Sequence, residues 1–164
     1  TGADEPFEIG KVYNLNEGTD ATIITCGHLV WEALLAAEAL EAKGISVEVL
    51  NVATVKPLDA KAIVESVKKT GKLVLASDAC QRGSFLNDIA ENVTEMAFDY
   101  LDAPPVVFGS RNWITPAFEL EKYFFPQADG IIDVISQKIM PIPGRVCTIN
   151  ESEIEHIERS KNGI

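Results

Sequence analysis

KLVLASDACQRGSFLNDIAENVTEMAFDYL, running from Lys72 to Leu101, is the stretch whose reading decides the fold. It opens with Leu73, Val74, Leu75 and Ala76, an apolar run too short for a helix and typical of a strand buried on both faces. The run turns polar at Ser77 and Asp78, and a loop from Ala79 to Gly83 follows. Ser84 then caps a helix whose apolar positions, among them Leu86, Ile89, Val93, Ala97 and Leu101, fall close to helical spacing. Strand, short glycine-containing loop and long helix make half of a βαβ unit. Such folds place ligands at the carboxyl ends of their strands.

The same grammar repeats on both sides of this stretch. Upstream, Ala21 to Gly27 reads as a buried strand, and about Leu29 to Lys43 as a helix stopped by Gly44. Ser46 to Val55 reads as the next strand. Pro57 breaks it, Asp59 caps a further helix and Gly71 ends that helix. Phe7 to Leu15 is β-rich but interrupted by Gly10. Downstream, Asp102 to Pro105 turns the chain into a strand at Val106 to Gly109. Ala117 to Phe125 reads as a short helix ended by Pro126, and Ala128 to Met140 as a longer one. Arg145 to Asn150 reads as an added edge strand and Glu151 to Ile164 as a charged, weakly helical tail. The expected architecture is an α/β fold, a three-layer α/β/α sandwich around a five-stranded, mostly parallel mixed sheet. Its first strand, near Lys11 to Leu15, runs against the others. Right-handed crossovers bring the strand ends at Gly27, Lys56, Asp78 and Ser110 to one edge. Residues 1–144 form the domain and residues 145–164 a charged C-terminal extension.

A chain of 164 residues is long enough to bury roughly 70% of its unfolded surface. Its net charge of −11 argues against nucleic acid, which requires a basic face. No apolar run approaches the ~18 residues of a membrane span. Three cysteines, Cys26, Cys80 and Cys147, form no CxxC pair, which suits a reducing cytoplasm. The start at Thr1, without Met, reads most simply as a piece of a longer chain.

Four residues qualify as substrate or anion contacts. His28 stands where a strand gives way to a helix N-terminus, although a polar residue at a loop edge is the plainer reading. Asp78, Arg82 and Arg111 can converge on the same edge, as a substrate clamp or as a structural ion pair. Cys80 lacks a base in sequence, so no nucleophilic triad is in view. Gln81 to Ser84 resembles a phosphate cradle without the spacing of GxGxxG or GxxxxGK[ST]. His156, in the tail, reads as solvated, and two histidines without acids at ligand spacing predict no metal site. Besides Trp31, one segment is dense in aromatic residues: Trp113, Phe118, Tyr123, Phe124 and Phe125. That density predicts either a filled core or an interface.

Taken together, IGKVYNLNEGTDATIITCGHLVWEALLAAEALEAKGISVEVLNVATVKPLD, TGKLVLASDACQRGSFLNDIAE and EMAFDYLDAPPVVFGSRNWITPAFELEKYFFPQADGII resemble the C-terminal domain of the transketolase superfamily. The likeness runs from about Phe7 to Met140. Its first part is similar to split transketolases and to the beta subunit of thiamine diphosphate-dependent 2-oxo acid dehydrogenases alike. AFDYLDAP and LEKYFFPQ look like the beta subunit. The resemblance implies a supporting and dimerising domain, as a homodimer or in an α2β2-type assembly, with an acyltransferase core as a further partner. It implies that thiamine diphosphate and Mg²⁺ are bound by other domains, so this chain alone is expected to hold no cofactor, no catalytic residue and no activity. Two-carbon ketol transfer by a split transketolase is the alternative, and a stand-alone small-anion or nucleotide-binding module the reading of another class. Three departures stand out. Asp78 replaces the family's glutamate, Ser84 its second loop glycine, and Asn112 to Pro116 its Asp-x-Pro-x-Pro.

Overall fold

A computed structural model describes residues 6–162. Its sheet contains β1 (Val12–Asn16), β2 (Ala21–Thr25), β3 (Val47–Val52), β4 (Leu73–Cys80) and β5 (Val106–Ser110). Their order across the sheet is β1-β3-β2-β4-β5. β1 pairs antiparallel with β3, and the other neighbours are parallel. The five-stranded mixed sheet with a reversed first strand is as expected.

Strand alternation sorts the apolar side chains onto the two faces. On one, Ile23, Val49, Val74 and Phe108 meet α1 (Leu29–Glu41) and α5 (Ala128–Val134). Four buried alanine and leucine positions, Ala33, Ala36, Ala37 and Leu40, let α1 lie close to the sheet. On the other face, Ile24, Leu50, Leu73 and Leu75 meet α2 (Ala60–Thr70) and α3 (Phe85–Ala97). Three layers result. The helices end where local chemistry says they should. The Asp59 carboxylate accepts the N–H of Ala62 at 3.1 Å at the start of α2, and Gly71 closes that helix in the left-handed conformation at φ 68°.

Two segments depart from the sequence reading. β4 does not stop at Ala76 but continues through Ser77 and Asp78 to Cys80, with an irregular register against β5. Gly109 of β5 allows this, since a Cβ there would stand 2.5 Å from the carbonyl oxygen of Ala79. Arg145 to Asn150 adds no strand. Its backbone N–H groups at Thr148 and Ile149 go instead to the Asp133 carboxylate, at 2.7 and 3.1 Å. A side chain thus takes the donors that a strand partner would have taken.

The rest of the final third is broken into short pieces. A 3-10 turn (Phe118–Leu120) leads into α4 (Glu121–Phe124), and α5 runs on as a π-helical turn (Ile135–Ile139). The last element is α6 (Glu153–Asn162). The side chain of His156 lies outside the described residues. Among those residues, no helix is long and apolar enough to cross a membrane.

Candidate functional site

The chain leaves β2 for β3 on one side and reaches β4 on the other, so the strand order reverses between β2 and β4. In open α/β sheets, ligands bind in the crevice outside the strand ends at such a point. Gly27, at φ 61°, turns the chain there and sets His28 immediately after β2. Asp78 stands on the neighbouring end of β4. His28 and Asp78 are both exposed and line one cleft of about 490 Å³, together with Phe118, Phe125, Glu119 and Glu121. Lys122 and Gln127 complete that lining.

Beneath Asp78 the backbone is held by a buried hydroxyl. Ser77 Oγ donates to the Asp78 carboxylate at 3.2 Å and accepts the N–H of Ala79 at 3.2 Å. Cys26 Sγ lies 3.6 Å from the same hydroxyl. Burial, with the Asp78 charge adding to it, pushes the Cys26 thiol up despite the Ser77 contact, so it is not a thiolate nucleophile. The Cys80 thiol donates to Asn112 Oδ1 at 3.7 Å. Among the described residues no group of His, Cys, Asp and Glu could hold a metal ion. The cleft holds three carboxylates and two basic groups around two phenyl rings. That arrangement can bind and orient a ligand, with no nucleophile and base in contact.

The four sequence-singled residues do not converge. His28 and Asp78 share the switch-point cleft. Arg82 faces a second cleft of about 470 Å³ with Asn87, Pro104, Pro105 and Lys138. Arg111 lines a third, and its Nη1 donates to Glu151 Oε1 at 3.3 Å. Glu151 is only 2% exposed, so Arg111 neutralises a buried charge. The clamp is divided by one strand's width and by this pairing.

The aromatic segment is also divided. Trp113, Phe118 and Tyr123 are exposed, Phe118 to 82%. Phe124 is buried, against the expectation of a shared surface patch. Its carbonyl accepts the N–H of Arg111 at 3.2 Å, which ties α4 to the end of β5 and turns the ring inward. The half-buried Phe125 packs edge-to-face on it at 4.8 Å.

Sequence reasoning missed Asp133, fully buried in α5. Its carboxylate accepts Arg145 Nε at 2.7 Å and Thr148 Oγ1 at 2.8 Å, besides the two N–H groups above. An aspartate among Ile131, Ile132 and Ile135 was the available signal, since a carboxylate on a core-facing stripe requires partners.

The comparisons agree with this architecture. The family described as "Transketolase, C-terminal domain" matches residues 10–131. The chain is 38% identical to a pyruvate dehydrogenase E1 component subunit beta of Rhizobium meliloti (strain 1021) over 133 residues, 80% of this chain and 29% of that protein. It is 39% identical to a 2-oxoisovalerate dehydrogenase subunit beta of Bacillus subtilis (strain 168) over 132 residues, 78% of this chain and 40% of that protein. A solved "Split gene transketolase, inactive beta4 tetramer" superposes with a TM-score of 0.70 at 32% identity, covering 85% of this chain and 44% of that one. The chain therefore spans less than half the length of these relatives. With the family matched over residues 10–131 and the sheet order and helix layers in place, the chain belongs to the transketolase C-terminal domain family.

Proposed function

We propose that this chain is the C-terminal supporting and association domain of a thiamine diphosphate-dependent enzyme, a 2-oxo acid dehydrogenase of the beta-subunit type. The observation that carries the reading is the pair of matches at 38% and 39% identity to beta subunits acting on two different 2-oxo acids. The cofactor and Mg²⁺ belong to other domains in this reading. When bound there, the cofactor supplies the electron sink for cleavage beside a 2-oxo carbonyl. This chain contributes a rigid three-layer body and an exposed aromatic seam of Trp113, Phe118 and Tyr123. Phe124 and Phe125 support that seam from within. The setting is a homodimer or an α2β2-type assembly in the cytoplasm, with an acyltransferase core as a further partner. The three free cysteines fit a reducing compartment. His28 and Asp78 are the substrate-side contacts of the strand-end cleft, and Arg82 and Arg111 serve as separate charged contacts.

The experiment is calorimetry of this chain with thiamine diphosphate and Mg²⁺. The expected result is no binding heat, and tight binding would overturn the supporting-domain reading. Two-carbon ketol transfer is the second reading, favoured by the superposition on a split transketolase. An assay of the assembled enzyme separates the two. Carbon dioxide release from a 2-oxo acid supports the first, and ketol transfer between sugar phosphates supports the second.

A further inference from the structure

At the free side of β5 lies a recess of about 570 Å³, between the strand's carboxyl end, residues 122–127 and the segment that follows α5. Its volume is within the range that encloses a small organic ligand. Apolar and polar surface share its walls almost equally, and the apolar part is aromatic and aliphatic. Phe108 lies buried at the strand end, Phe124 and Phe125 meet edge-to-face, and Ile149 closes the far side. Gly130 gives the Phe108 ring its room, since a Cβ there would stand 2.9 Å from the ring's Cζ.

Two cations, Arg111 and Lys122, border this apolar surface. The carboxylate in the lining, Asp129, is engaged by Arg145 at 3.2 Å. Arg111 uses one donor of its guanidinium on Glu151. The Lys122 ammonium lies 4.9 Å from the centre of the Tyr123 ring and has no carboxylate partner among the described residues. In a chain of net charge −11, a recess whose unengaged charge is positive selects an anion. The aromatic walls select an apolar body. The Ile149 wall is held in place by Asp133, which accepts its N–H at 3.1 Å. That wall lies beyond the residues 10–131 that the family matches.

We propose that this recess binds a small organic monoanion with an aryl or branched-alkyl body. Its carboxylate meets Lys122 and the free edge of the Arg111 guanidinium, and its body lies on Phe125 and Ile149, with the buried Phe124 ring behind them. The recess adjoins the strand-end cleft and shares Lys122, Phe125 and Gln127 with it, but the proposal does not rest on the dehydrogenase reading.

Calorimetric titration of the 164-residue chain with 3-phenylpropanoate, its neutral amide and acetate tests it. The carboxylate binds with a millimolar or tighter dissociation constant. The amide and acetate each bind about tenfold more weakly or worse, because one loses the charge and the other the body. Lys122→Gln weakens 3-phenylpropanoate about tenfold with an unchanged melting temperature, since Lys122 is exposed. Arg111→Gln alone would also break the ion pair of the buried Glu151, so the paired Arg111→Gln/Glu151→Gln variant tests the guanidinium, with a similar loss expected. No heat with 3-phenylpropanoate, equal affinity for acid and amide, or undiminished affinity in Lys122→Gln overturns the proposal.

Discussion

At the residue scale, two of the buried carboxylates, Asp133 and Glu48, shape how the chain responds to acid. Burial alone would push the Asp133 carboxyl up. The N–H of Thr148, the Arg145 guanidinium, the Thr148 hydroxyl and the N–H of Ile149 together outweigh it and hold the group below the usual carboxylate range. Glu48, buried in β3, is held down in the same way against its own burial, first by Lys69 and then by Ser66. A carboxyl whose folded pKa is depressed stabilises the fold above its unfolded pKa, and loses that contribution as pH falls through the folded value. Lys69, raised chiefly by Glu48, works the other way and loses its contribution only as pH rises through its folded value. Both pairs are therefore at full strength near neutrality and weaken on the acid side below about pH 4. Asp133→Asn leaves Arg145 facing a neutral group and should cost about 3 kcal/mol at pH 7, read from the urea midpoint. The variant's stability should depend less steeply on pH between about 2 and 5. Hydrogen exchange at Thr148 and Ile149 should accelerate by more than the global loss accounts for. Unchanged protection at those two amides would mean that Asp133 does not hold the segment.

At the element scale, what was legible in the sequence is what local rules determine. Asp59 and Gly71 mark the ends of α2 because a cap and a left-handed turn act within a few residues. The alternation of Ile23 and Ile24 between two cores follows from strand period alone. β4 was read four residues short because its last part depends on a residue far along the chain. Ser77 and Asp78 look like a turn until Gly109 is set beside them and its missing side chain admits the backbone of Ala79 and Gln81. The same limit explains the site. Strand ends are visible in sequence, so the ends at Gly27 and Asp78 are assigned to one edge from sequence alone, and the structure sets His28 and Asp78 on one cleft. Arg111 falls in with Asp78 and Arg82 in the sequence reading because nothing local shows that Glu151, forty positions later, pairs with it. The Gly109 contact carries its own prediction. Gly109→Ala places a methyl group 2.5 Å from the Ala79 carbonyl oxygen and 2.6 Å from the Gln81 nitrogen. Backbone has to move, at a cost of roughly 1–3 kcal/mol. The displacement should show in amide chemical shifts from Asp78 to Arg82. An Ala variant as stable as the parent, with those shifts unmoved, would rule out the close approach.

At the scale of the whole molecule, a net acidic surface carries several exposed aromatic side chains, three of them in one segment. A net charge of −11 opposes random self-association, and the opposition is weakest where apolar area replaces charge. Trp113, Ile114, Phe118 and Tyr123 lie within eleven positions of one another and are all more than half exposed. Aromatic side chains of this kind dominate the energetics of protein contacts. Burial separates this seam from its supports, so the two can be tested apart. Phe124, 5% exposed, belongs to the fold, and Phe124→Ala should lower stability by about 3–5 kcal/mol. Phe118→Asp with Tyr123→Asp changes only exposed rings and should leave the melting transition within about 1 kcal/mol of the parent. If the association reading holds, sedimentation should show the parent chain shifting from monomer to dimer as concentration rises. The Phe118→Asp/Tyr123→Asp variant should remain monomeric over the same range. High salt should favour the parent's dimer, because screening removes acidic repulsion while leaving apolar contact in place. A parent that stays monomeric at high salt and high concentration, together with a doubly substituted chain that still enters the larger enzyme's assembly, would place the seam on another face.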